Sequence, residues 1–125
     1  MRACAVLFLV LFAVEALALP PSYDNIRESV EKYNPDDKTS KAERIFVTED
    51  FQNGFIMHYR SDVTLRDVVE EAKSRNHKEV TGVLVFRRDT KPSLVFRGAV
   101  ESLDKATFIL KPEDAVFVED HDTRF

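Results

Sequence analysis

Four consecutive apolar residues, Val83-Leu84-Val85-Phe86, set the strongest condition on how this chain folds. Strand side chains alternate between the two faces of a sheet. A run without polar alternation therefore reads as a central strand covered on both sides. Leaving either pair wet would forfeit about 1.5–3 kcal/mol per side chain. Neighbouring segments share this grammar. Ser93-Leu94-Val95-Phe96 returns after the turn Asp89-Thr90-Lys91-Pro92. Upstream, Ile45-Phe46-Val47-Thr48 and Phe55-Ile56-Met57-His58-Tyr59 are β-branched and aromatic, and Asn53-Gly54 between them tolerates positive φ, a hairpin signal. Ala115-Val116-Phe117-Val118 is expected as the last strand, entered through the turn Leu110-Lys111-Pro112-Glu113-Asp114.

Two helices accompany these strands. Thr64 caps the main one, with Asp67 three residues on in a capping-box arrangement. Leu65, Val68, Val69 and Ala72 form its apolar stripe, and it is expected to run to about Arg75. A shorter amphipathic helix spans residues 22–34, with Ser22 as cap and Ile26, Val30 and Tyr33 at helical spacing. Pro35 ends it, and residues 35–42 read as a solvated linker. Glu101 to Ala106 suits a short helical turn. Hairpin, helix, strand, strand, turn, strand is the order of a two-layer α+β domain, one main helix on a four- to five-stranded mixed sheet. One helix covers one face only. The other face is either covered by the N-terminal helix through Ile26, Val30 and Tyr33, or left as an interaction patch. The first is favoured, because an apolar helical stripe needs somewhere to bury.

The first residues follow another logic. Met1-Arg2-Ala3-Cys4, the apolar run Ala5 to Val14, Glu15 and then Ala16-Leu17-Ala18 form the three-part pattern of a secretory signal peptide, with cleavage expected after Ala18. The run is shorter than the roughly 20 residues of a membrane span. The expected organisation is a leader at 1–18, helix and linker at 19–42, a folded domain at 43–119 and a charged tail at 120–125. Export and an extracellular location follow, with no membrane attachment after cleavage. The single cysteine, Cys4, lies in the leader, so no intrachain disulfide forms and thiol chemistry is absent from the mature chain. Net charge is -4 with both signs well mixed, which argues against nucleic acid, whose binding draws most of its affinity from clustered positive charge.

Asp62-Val63-Thr64-Leu65-Arg66-Asp67-Val68-Val69 resembles the helix entry of β-grasp, or ubiquitin-like, domains. Leu110-Lys111-Pro112-Glu113-Asp114-Ala115-Val116 resembles the turn before their final strand. The likeness covers residues 43–119 and is greatest to the soluble-ligand-binding β-grasp domains, among them the small domain that closes over the corrin in cobalamin carriers. It implies a mixed sheet with adjacent first and last strands, crossed by one helix, and a binding role with the ligand open. The chain ends Asp122-Thr123-Arg124-Phe125 rather than Gly-Gly, so conjugation is not implied.

No catalytic constellation emerges. There is no Gly-x-Ser-x-Gly elbow, and Gly54, Gly82 and Gly98 read as turn or strand-end positions. His58, His77 and His121 are too scattered for a metal site, and Glu119-Asp120-His121-Asp122 reads as solvated charge. Neither metal nor cofactor is expected. The candidate binding residues are basic: Arg87, Arg88 and Lys91 on or near the β-turn, and Arg97 at the end of the returning strand. A hairpin would gather them into an anion site for an acidic protein surface or an anionic glycan; the plainer reading is charge that protects a strand edge. The expected function is a secreted, non-enzymatic binding module. The alternatives are a structural component of an extracellular matrix and a loop-presenting protease inhibitor.

Overall fold

A computed structural model describes residues 21–49, 54–76, 79–105 and 108–120. Helix α1 spans Tyr23–Tyr33. Strands β1 (Arg44–Thr48) and β2 (Gly54–His58) follow, then helix α2 (Leu65–Asn76). Strands β3 (Val80–Phe86), β4 (Leu94–Ala99) and β5 (Ala115–Asp120) complete one five-stranded sheet in the order β2-β1-β5-β3-β4. β1 pairs parallel with β5, and the other three pairings are antiparallel. Short 3₁₀ segments occupy Lys41–Glu43 and Val100–Lys105. The α+β class and the mixed sheet are as the residue pattern predicts. The leader through Ala18 lies outside the described residues; among those described, no helix is long and apolar enough to cross a membrane.

Strand alternation divides the apolar residues into two cores. Ile45, Val47, Val83, Val85, Val116 and Val118 face α2 and meet its stripe of Leu65, Val68, Val69 and Ala72. Phe46, Ile56, Leu84, Phe86, Ala115 and Phe117 face the other way and meet Tyr23, Ile26 and Val30 of α1. The second face is thus covered by the N-terminal helix, and the interaction-patch alternative falls. Tyr33 is not part of that cover: it is 51% exposed at the last position of α1.

Local signals hold both helices in place. Thr64 and Asp67 form the reciprocal box: Asp67 N donates to Thr64 Oγ1 at 3.2 Å, and Thr64 N donates to Asp67 Oδ2 at 3.0 Å. Ser22 Oγ accepts from Asn25 N at 3.2 Å. At the far end of α1, Asn34 Nδ2 donates to the carbonyls of Val30 at 2.8 Å and Gly54 at 2.9 Å, tying the helix to β2. Gly54 itself has no positive φ. Its missing side chain serves a close approach instead, since a Cβ there would lie 2.7 Å from Val30 Cγ2. The hairpin tip at 50–53 is outside the described residues.

Two boundaries differ from expectation. The linker is pinned rather than free, because Arg44 Nε and Nη2 donate to the carbonyls of Thr39 at 2.8 Å and Asp37 at 3.1 Å. β5 continues through Asp120, where Val80 pairs with it, so a charged residue assigned to the tail belongs to the sheet. The helical turn after β4 is present, although Ala106 lies outside the described residues. Because Ile26 is completely buried, Ile26→Ala is expected to cost about 2–5 kcal/mol in urea unfolding; an unchanged midpoint would mean α1 is not docked.

Candidate functional site

Arg87, immediately after β3, turns inward. Its Nε and Nη2 donate to Asp114 Oδ1 and Oδ2, each at 2.9 Å, and Nη2 also donates to the Ile109 carbonyl at 3.1 Å. The guanidinium carbon lies 5.2 Å from the Phe108 ring centroid. Asp114 is fully buried, and its Oδ2 accepts a further bond from Lys111 N at 2.8 Å. Two parallel charge-assisted bonds give this pair both strength and fixed geometry. The Asp114 carboxylate raises the Arg87 pKa further above its ordinary value. The pair staples the turn at 110–114 to the end of β3. The same turn meets β1 through Glu113 N to Arg44 O at 2.7 Å and Phe46 N to Asp114 O at 3.0 Å.

The four predicted cations are therefore not one cluster. Arg87 is a structural residue. Arg88 remains 59% exposed, with Glu113 at 3.4 Å and Asp89 at 3.5 Å. Lys91 is exposed in the turn. Arg97 sits opposite Leu84 on β4 and lines a separate shallow groove near Gly82 and Glu119, at the other end of β3. Distance along the strands and the inward turn of Arg87 separate side chains that the sequence placed together.

What the fold does assemble is a cleft of about 620 Å³ between α1 and the β3–β4 turn. Asp24, Arg27 and Glu31, spaced three and four apart, form the helical wall. Arg88, Asp89 and Glu113 form the facing wall, and Lys41 and the buried Phe46 also line the cleft. Arg27 Nη1 bonds Glu31 Oε1 at 2.8 Å, and Arg27 also lies 3.8 Å from Asp24. Tyr23 lines the cleft at 8% exposure, and its buried hydroxyl has no hydrogen-bond partner among the described residues. Burial raises the Tyr23 pKa, Glu113 adds to the rise, and Arg27 and Arg88 oppose it. The polar spacing of Asp24, Arg27 and Glu31 was visible in the sequence; that it faces the hairpin depends on the docking of α1.

His58 Nε2 lies 2.9 Å from Glu43 Oε2 on the surface; His77 and His121 are outside the described residues. Among the described residues no group of three or more His, Cys, Asp or Glu is placed to hold a metal. Comparison with models of protein families, with curated proteins and with solved structures finds no match. Asp114→Ala would strand the Arg87 guanidinium and leave Lys111 N without its acceptor. A loss of about 3 kcal/mol in urea unfolding is expected, the lower end of the range for a broken buried pair because Arg87 keeps some contact with water. A loss below about 1 kcal/mol, the size typical of a surface pair, would contradict the staple.

Proposed function

We propose that this chain is an exported, non-enzymatic binding module whose recognition site for an extracellular protein partner is the cleft between α1 and the β3–β4 turn. The observation that carries this reading is the cleft itself, a concavity of about 620 Å³ whose walls bear charges of both signs. Asp24, Glu31, Asp89 and Glu113 stand among Arg27, Lys41, Arg87 and Arg88. Such a surface suits a protein with interleaved charges. It suits an anionic glycan poorly, since four carboxylates would repel it. The export reading rests on the leader pattern at residues 1–18. The β-grasp reading is in keeping with the parallel pairing of β1 with β5 and with α2 packed across one face, and it favours binding over catalysis only by analogy.

A photo-crosslinking residue placed at Ser93, which lines the cleft, tests the site; the same residue at Thr81, beside the other groove, is the control. The expected result in extracellular fluid is one saturable adduct at Ser93, competed by the unmodified protein and lost in Arg88→Glu. Arg87 is left intact because its replacement would disturb the fold. Equal labelling from both positions, or an adduct indifferent to Arg88→Glu, would contradict the proposal.

A further inference from the structure

The Tyr23 hydroxyl is the single buried side-chain polar atom without a hydrogen-bond partner among the described residues. Native proteins rarely leave such atoms unpaired, and each one calls for an explanation in water, ligand or function. Here the residue opens α1 and lines the cleft with Ser22 and Phe46. Burial, reinforced by Glu113, holds its proton above the ordinary range, so the hydroxyl offers a donor and calls for an acceptor. The charged groups facing it are Glu113, Arg27, Arg88 and Asp114. The first three are long side chains 33%, 37% and 59% exposed. A ligand reaching the hydroxyl requires such side chains to rotate, a motion that exposed residues make within nanoseconds.

The chemistry of the walls narrows what enters. Arg27 is paired with Glu31 and Asp24, Arg88 with Glu113 and Asp89, and Arg87 with Asp114. This balance favours neither a polyanion nor a polycation. The rings of Tyr23 and Phe46 are buried, so they present no open face for a sugar to stack on. A peptide backbone is a neutral group that supplies both an acceptor for the hydroxyl and N–H donors for carboxylates at the rim. Resting on the reading of this cleft as the recognition site, we propose that it takes an extended backbone segment of the partner protein, one carbonyl of which accepts the Tyr23 hydroxyl.

The minimal probe is acetylglycine N-methylamide, titrated into purified protein carrying ¹³C at the tyrosine Cζ, with maltose as the sugar arm and Tyr23→Phe as the variant. The probe is expected to shift the Tyr23 resonance saturably while maltose does not. Tyr23→Phe is expected to weaken probe binding about five- to tenfold, the size of one hydrogen bond, and to raise the thermal midpoint by removing an unpaired buried group. Unchanged affinity in the variant, or no probe response at any cleft residue, overturns the proposal. So does a lowered midpoint, which would reveal an internal partner for the hydroxyl, and so does a response to maltose alone. A Ser93 adduct whose half-saturation is unchanged in Tyr23→Phe would sink this anchor and leave the binding-module reading standing. A probe response without any Ser93 adduct would show that the hydroxyl takes an amide carbonyl but would sink the partner reading on which this proposal rests.

Discussion

Val83 and Val85 point to one side of the sheet, Leu84 and Phe86 to the other, and all four are almost wholly removed from water. β1 and β5, between β2 and β3, repeat the pattern with Ile45, Phe46 and Val47 and with Val116, Phe117 and Val118. Three adjacent strands with apolar side chains on both faces oblige the chain to supply two covers. α2 provides one. Outside the strands and α2, the N-terminal segment has the apolar stripe for the other, and Ile26 and Val30 become completely buried in providing it. With one cysteine in the chain, no intrachain disulfide shares the work. The fold rests on this two-sided burial, a term that scales with apolar area removed from water.

The cleft is a by-product of that arrangement. Once Ile26 and Val30 are committed to the sheet, the helical periodicity turns Asp24, Arg27 and Glu31 toward the β3–β4 turn. The facing wall has its own support. The Arg87–Asp114 pair joins the end of β3 to the turn before β5, and Glu113 emerges beside it at φ 68° to meet Arg88. A buried ion pair is not a large net source of stability; it gives the structure a definite geometry and penalises the loss of either partner. Both walls are thus held by burial and by charge pairing that do not depend on a ligand. Tyr23 stands at their meeting point, half core residue and half site residue.

The apolar pattern made the sheet legible: alternation, turn residues and the Thr64–Asp67 box all lie within a few residues of the elements they specify. Docking of α1 was legible as a need, through the surplus of apolar side chains on the second face, although Tyr33 was wrongly included in the stripe. It closes the last turn of the helix and stays exposed, while the next residue, Asn34, bonds β2 through the Gly54 carbonyl. The candidate site was much less legible. Arg87 looked like its neighbour Arg88 because a sequence does not show that Asp114, twenty-seven residues away, will be buried within 2.9 Å of it. Gly54 looked like a turn glycine, whereas its role is to let Val30 approach. Both errors concern contacts between segments distant in sequence, where composition and periodicity carry no information.

Native-state hydrogen exchange of the α1 amides tests the central claim most directly, because it asks whether the second cover is integral to the fold. If Ile26 and Val30 complete the core, their amides will exchange with opening free energies close to those of Val116 and Val118 in β5, as expected for one cooperative unit. Exchange of the α1 amides by a separate low-energy opening, while β5 stays protected, would contradict the account. The helix would then be a detachable strap, and the cleft would not be a stable feature of the molecule.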